Sequence, residues 1–200
     1  MEPQLLLASN SPRRRKLLSN AGFDFRSVGP DVDERFDVDL TVRELTALNA
    51  IRKGMSVART HPKQIVLSAD TLVAIGDQIL GKPKDLAEAV AMLRRLSGQI
   101  HEVCSAVFIC HAAARRSLCF CDISQVRFRR LKREQIDNYF ARVNPLDKAG
   151  GYAAQGSGRE VIEKIEGSYS NVVGLPMEMT VAALAEFGVA PKTRPVRLGP

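Results

Sequence analysis

Ser9-Asn10-Ser11-Pro12-Arg13-Arg14-Arg15 is the stretch of this chain best equipped to grip an anion. It follows the apolar run Leu5-Leu6-Leu7-Ala8, which predicts a short buried strand, and leads into Lys16-Leu17-Leu18, which predicts a helix. Pro12 suits the first helical position, where its missing N–H is not needed and its φ is preset. Ser11 before it is a good N-cap. The arginines then stand on the first turn of a helix leaving a strand end, where free N–H groups and the positive end of the helix dipole point the same way. Guanidinium groups bind phosphate bidentately, so a polyanion fits there. A solvated basic helix start accounts for the same residues equally well.

Asp70 is the second feature. Gln64 to Ala69 predicts a buried strand ending on Asp70-Thr71. A carboxylate at the carboxyl end of such a strand lies where open α/β sheets bind ligands. There it would hold a divalent metal or orient a water, unless it is only a cap or turn residue. Leu72 to Leu80 predicts a hairpin turning at Gly76-Asp77. Such a hairpin would return Lys82 beside Asp70, or leave it as a surface lysine.

Other chemistries find no support. Gly81-Lys82 lacks the upstream glycine and following Ser/Thr of a P-loop, and no G-x-G-x-x-G follows a strand. His61, His101 and His111 are isolated, and no Ser-His-Asp or Cys-His grouping is legible. The basic pairs Arg94-Arg95, Arg115-Arg116, Arg129-Arg130 and Lys132-Arg133 are scattered, and Trp is absent. They read as solvated surface and not as a base-stacking platform, so nucleic acid is not the expected partner.

The elements that must position these residues follow from pattern. A helix is expected from Pro12 to about Asn20, ended by Gly22, then a strand over Phe23–Val28. Gly29 to Asp39 is an irregular acidic loop. Thr41-Val42-Arg43-Glu44 is a capping box opening a helix with Leu45, Leu48, Ile51, Met55 and Ala58 near one face. Asp85-Leu86-Ala87-Glu88 opens another, carrying Ala89, Met92, Leu93 and Leu96 and stopped by Ser97-Gly98. Ile100–Cys110 and Leu118–Phe128 predict an antiparallel hairpin. Lys132–Arg142 is helical, Asn144–Gly158 a Gly-rich loop, Val161–Ile165 a strand and Pro176–Phe187 a last helix. Helices and strands alternate at first and strands then pair locally, which predicts an α/β fold with a mixed sheet.

Bulk properties bound the answer. The 200 residues are 45% hydrophobic and 26% charged, ordinary for a globular protein. One domain over residues 1–190 is expected, with residues 191–200 as a flexible tail. The formal net charge of +7 favours anionic partners without choosing among them. Met1-Glu2-Pro3-Gln4 shows no basic run before a long apolar segment, and no stretch is apolar enough for a membrane span. Cys104, Cys110, Cys119 and Cys121 form no C-x-x-C pair and read as reduced core cysteines, so a cytoplasmic location is expected.

Five blocks in order then resemble one family. Leu7-Ala8-Ser9-Asn10-Ser11-Pro12-Arg13-Arg14 with Leu17-Leu18 is similar to the opening of the Maf nucleoside triphosphate pyrophosphatases. Asp31-Val32-Asp33-Glu34 resembles the family's acidic segment, and Ala69-Asp70-Thr71, Leu80-Gly81-Lys82-Pro83 and Leu96-Ser97-Gly98 its central block. Asp147 to Gly156 and Gly167 to Pro176 resemble its last two blocks. The match runs from about residue 5 to residue 187. Arg35-Phe36-Asp37-Val38-Asp39 and Cys104-Ser105-Ala106 depart from the pattern.

The resemblance implies a two-lobed α/β architecture like that of inosine triphosphate pyrophosphatases, a mixed sheet with flanking helices and the nucleotide in the cleft between lobes. It implies water attack between the α- and β-phosphates, a divalent cation (Mg²⁺ or Mn²⁺) and a homodimer. On the matching positions, Asp70 is the proton acceptor; Arg13, Thr71 and Gln155 select substrate; Ser9, Arg14, Lys53 and Lys82 surround the phosphates; Glu34 and Asp70 hold the metal. Ala69-Asp70-Thr71 with Gln155-Gly156 points to the branch acting on dTTP and UTP. The competing branches act on 7-methyl-GTP or on deaminated purine triphosphates. A septum regulator binding nucleic acid or protein is the rival from another class.

Overall fold

Leu5-Leu6-Leu7-Ala8 forms β1 (Leu5–Ala8), buried along its whole length, and Ser11 caps α1 (Pro12–Asn20) by accepting the Arg14 N–H, with Pro12 at the first helical position. These elements come from a computed structural model that describes residues 4–36 and 39–192. Asp37 and Val38 of the acidic loop, and residues 193–200 of the expected tail, lie outside the described residues. The chain continues through β2 (Arg26–Val28), α2 (Val42–Thr60), β3 (Ile65–Ile75), β4 (Gln78–Leu80), α3 (Leu86–Leu96), β5 (Ile100–His111) and β6 (Arg116–Phe128). It ends with α4 (Arg133–Phe140), α5 (Gly158–Val161), β7 (Ile162–Glu166), α6 (Tyr169–Val173) and α7 (Met177–Glu186).

The strands build one mixed sheet in the order β2-β1-β3-β5-β6-β7, with β4 also on β3. β2, β1 and β3 run parallel; β5, β6 and β7 continue antiparallel. β5 pairs along one edge of β3 from Ile65 to Ala74. The other edge is shared: β1 covers Ile65–Ser68 and β4 covers Val73–Ile75. Between them Ala69–Leu72 has no strand beside it on that edge among the described residues.

Asp70 therefore stands in the middle of β3 and not at a strand end. The apolar run does not stop at Asp70-Thr71, because Leu72, Val73 and Ala74 are buried as well and β5 pairs past them. A carboxylate at 3% exposure is tolerated inside a strand because the Lys53 ammonium lies 2.5 Å away.

Three apolar clusters fill the molecule. One packs α1 and α7 on Leu5, Leu7, Leu67 and Ile109. A second gathers Leu93, Leu96, Phe128, Ile136 and Tyr139 around the far ends of β3, β5 and β6. The third lies under α2, on the opposite face, with Val66, Phe108 and Cys110. The first two are the lobes, and β3 and β5 run through both.

Other expectations shift in detail. Only Arg26–Val28 of the Phe23–Val28 segment is strand; Phe23 turns into the core instead. α2 buries Leu45, Thr46, Asn49, Ala50, Lys53, Gly54, Val57 and Ala58, while Met55 is exposed. Its inner face is therefore rotated from the purely apolar stripe and includes the polar Thr46, Asn49 and Lys53. The Glu88 side chain accepts from Lys84 N–H, not from the Asp85 cap, so that box is only half made. Val161 ends the short α5, and neither α5 nor α6 is evident from pattern. Cys104 and Cys110 are buried, but Cys119 is exposed on β6, and all four cysteines are free.

Candidate active site

The turn from β1 into α1 separates its three arginines. Arg13 leans across the cleft: Nη1 donates to Asp147 Oδ2 at 2.8 Å and Nη2 to the Asp147 carbonyl at 3.0 Å. Arg14 points inward. Its Nε donates to the Gly174 carbonyl at 2.8 Å, Nη2 to Thr71 Oγ1 at 2.9 Å and Nη1 to Ser9 Oγ at 3.5 Å. Burial lowers the Arg14 pKa from its ordinary value, with the Asp70 charge opposing that shift. Arg15 and Lys16 are exposed, Arg15 donating to the Asn10 carbonyl.

Asp70 faces α2. Lys53 Nζ lies 2.5 Å from Asp70 Oδ1 and 2.6 Å from Glu34 Oε1, and Lys82 Nζ lies 2.7 Å from the same Glu34 oxygen. The hairpin of β3 and β4 thus returns Lys82 to Glu34, and Lys82 meets Asp70 only through Glu34 and Lys53. Burial by itself would raise the Glu34 carboxyl. Lys53 and Lys82 outweigh it and hold that carboxyl down at about 2. Asp70 Oδ2 is buried and has no hydrogen-bond partner.

Glu34 sits on an irregular loop, and α2 holds it there. Asn49, one helical turn before Lys53, accepts the Arg35 N–H at 2.8 Å and donates to the Arg35 carbonyl at 3.1 Å. A residue bound on both backbone groups fixes its neighbour's direction, so Asn49 aims Glu34 at Lys53. Phe36 then packs on Gly81, where a Cβ would come within 2.7 Å of its ring. That close approach brings the Lys82 segment against the loop.

The opposite wall is a buried relay. Ser105 Oγ donates to the Asn171 carbonyl at 2.9 Å, so the 2.8 Å contact with Thr71 has Thr71 as donor. Thr71 Oγ1 in turn accepts from Arg14, so its proton is committed to Ser105 and one of its two lone pairs to Arg14. Asn171 is anchored by donating to the Val103 carbonyl and Ser124 Oγ. Beside the relay Val73, Val103 and Val172 make an apolar surface with Tyr152. The Tyr152 hydroxyl is 2.7 Å from His101 Nε2, and burial lowers the His101 pKa to about 4, keeping it neutral.

Ser9, Arg13, Arg14, Glu34, Lys53, Asp70, Thr71, Lys82 and Gln155 all line one cavity of about 480 Å³. No residue expected at the site lies elsewhere. Its volume is that of an ordinary small-molecule site. Asn49, Ser105, Asn171 and Tyr152 were not foreseen, nor was the pairing of Asp147 with Arg13. Asp147, Tyr152 and Asn171 fall inside the family blocks, and Ser105 inside a departure from them. Asn49 offers only a polar side chain on a face that should be apolar.

Residues 4–187 match the family model described as Maf-like protein. The dTTP/UTP pyrophosphatase of Bacillus pumilus is 42% identical over 188 residues, covering 94% of this chain and 98% of that one. The dTTP/UTP pyrophosphatase of Symbiobacterium thermophilum is 44% identical over 185 residues, covering 92% and 94%. Among solved structures, the Staphylococcus aureus Ham1 protein overlaps 62% of this chain and 71% of its own, at 17% identity and a TM-score of 0.44. With a family match over nearly its whole length and relatives above 40% identity, the chain belongs to the Maf family.

Proposed function

We propose that this protein is a nucleoside triphosphate pyrophosphatase that hydrolyses dTTP and UTP between the α- and β-phosphates, releasing the monophosphate and pyrophosphate. The observation that carries the reading is one buried carboxylate, Asp70, with an unpartnered oxygen in a cleft lined by Arg13, Arg14, Lys53 and Lys82. A nucleoside triphosphate carries roughly four negative charges, and catalysis of its cleavage is mostly positioning and charge neutralisation. The names of the relatives support the substrate pair.

Asp70 Oδ2 is the group that orients the attacking water and takes its proton. Arg13 and Lys82, the more open cations, neutralise the phosphates, and Ser9 and Arg14 close the near wall. Glu34 and Asp70 fit a divalent cation, Mg²⁺ or Mn²⁺. They offer two carboxylates and one buried oxygen without a partner, and no cluster of three or more metal-binding side chains occurs among the described residues. That donor set suits an ion that takes one or two carboxylates and completes its shell with phosphate and water. When bound, the cation would supply charge and a more acidic water, which matters because an ordinary Asp, pKa ~3.9, is a weak base.

Gln155 reads the base, since its amide matches an N3–H and an adjacent carbonyl of a pyrimidine. Val73, Val103, Val172 and Tyr152 give the ring an apolar seat. Thr71 acts through Arg14, whose guanidinium it holds. The Arg13–Asp147 pair ties α1 to the loop that carries Gln155. The same reading places the enzyme in the cytoplasm, acting on the free nucleotide pool. Pyrophosphate release with Mg²⁺ across dTTP, UTP, CTP, 7-methyl-GTP and ITP tests it. dTTP and UTP should exceed the others by about tenfold or more in kcat/KM. A preference for 7-methyl-GTP or ITP overturns the substrate, and no turnover of any overturns the activity.

A further inference from the structure

Lys53 does not reach into the open cleft for an anion. Its ammonium bridges Asp70 Oδ1 and Glu34 Oε1, and its side chain is only 9% exposed. It therefore occupies the space between the two carboxylates assigned above to the cation. Lys82 adds a second ammonium on the same Glu34 oxygen. Two negative and two positive charges make this cluster neutral as it stands.

A divalent cation arriving alone finds Asp70 Oδ2 open, but to reach both carboxylates it must settle beside the Lys53 ammonium that already bridges their other oxygens. The Lys53 and Asp70 side chains are only 9% and 4% exposed, so the repulsion between the two cations is less screened than between surface charges. A triphosphate changes the balance because it offers both lysines other oxygens. Lysine suits such a transfer: it is a compact charge on a flexible four-carbon stem, bound here by no fork geometry. Asn49 keeps Glu34 in place while the ammonium leaves, since it grips the loop backbone and not the carboxylate.

We propose that Lys53 is a resident counter-cation that sets the order of assembly: the divalent metal joins Asp70 and Glu34 only together with the nucleotide, after the triphosphate has drawn the Lys53 ammonium away. This rests on the pyrophosphatase reading and on those two carboxylates as the metal's protein donors. By linkage, metal and nucleotide each strengthen the binding of the other.

The test is Mn²⁺ binding to nucleotide-free protein, followed by the loss of the free-ion paramagnetic resonance signal, with no turnover involved. Lys53→Met should bind Mn²⁺ about tenfold or more tightly than the unaltered protein. Lys53→Arg, which keeps the charge, should stay at the unaltered affinity. A gain under about threefold for a folded Lys53→Met, or an equal gain for Lys53→Arg, overturns the proposal. If the Met variant does not fold, the unaltered protein decides alone: a Mn²⁺ Kd below about 10 μM without nucleotide overturns it, and weaker binding supports it. Undiminished dTTP hydrolysis in excess chelator would instead remove the metal reading beneath it, so the two failures are told apart.

Discussion

Arg14→Lys separates a substrate-facing cation from a structural one. The Arg14 guanidinium uses three edges at once, on the Gly174 carbonyl at 2.8 Å, Thr71 Oγ1 at 2.9 Å and, more weakly, Ser9 Oγ at 3.5 Å. A lysine ammonium ends near the position of the guanidinium carbon and lacks the planar fork, so it must lean toward one of the two good acceptors and away from the other. The lost bond is charge-assisted and buried, contributing ~1.5–3 kcal/mol. Its abandoned partner is either a buried carbonyl or the end of the Thr71–Ser105–Asn171 relay. A destabilisation of about 2–3 kcal/mol follows, read as a lower urea midpoint at unchanged slope. Thr71→Val cuts the same relay, so the double variant should fall short of the summed effects by about 1 kcal/mol. kcat/KM for dTTP should drop in both single variants, since Thr71 acts through Arg14. An Arg14→Lys protein within ~0.5 kcal/mol of the parent, additive with Thr71→Val, would refute the argument that Arg14 is a strut.

Three further outcomes are expected. Asp70→Asn should lose about 10²–10⁴-fold in kcat for dTTP while remaining folded by circular dichroism; a normal rate would displace Asp70 as the base. His101 is held neutral by burial, with its pKa lowered to about 4 in the native state. The unfolded chain then takes up that proton first, so stability should fall as pH drops from ~6.5 toward 4 and level off below; His101→Phe should flatten this limb in denaturation series. Gly54→Ala should destabilise by ~1–3 kcal/mol in spite of alanine's better helix propensity. Its Cβ would meet Phe108 and Ser68 Oγ at 2.6 Å, and a gain in melting temperature would contradict that packing.

Local signals made much of this fold legible. Pro12 after Ser11, the Thr41–Glu44 box and the Gly76-Asp77 turn each act within four residues, and each forms as expected. The central block was harder. Asp70 looked like a strand terminator because a buried carboxylate is costly, and its counter-charge is 17 residues away on α2. Sequence periodicity has no access to that pairing. The Arg13–Asp147 bond spans 134 positions and the Arg14–Gly174 bond 160, so neither shows in any local pattern. The family blocks contain most of the residues that line the cleft, though Lys53 and Asn49 lie outside them, and no block reveals Arg14 tied into the frame or Asn49 aiming Glu34.

The face of α2 shows why chemistry appears where pattern fails. Amphipathicity alone would bury Leu48, Ile51 and Met55; the helix instead turns Asn49 and Lys53 inward and leaves Met55 exposed. Gly54 permits this rotation, because the helix can approach Phe108 and Ser68 only without a Cβ there. Approach is needed because Asp70 sits on a rigid strand, in the stretch of β3 flanked by neither β1 nor β4. A strand holds a carboxylate more firmly than a loop does, but it cannot move the carboxylate toward a partner. The helix must therefore bring the partner to it. A polar pair four residues apart on the inner face of a long helix, followed by a glycine, is thus a local rule broken for the site's benefit. Restoring the rule with Lys53→Leu and Gly54→Ala would improve the helix's own pattern while removing the ammonium that pairs with the buried Asp70 carboxylate inside the sheet.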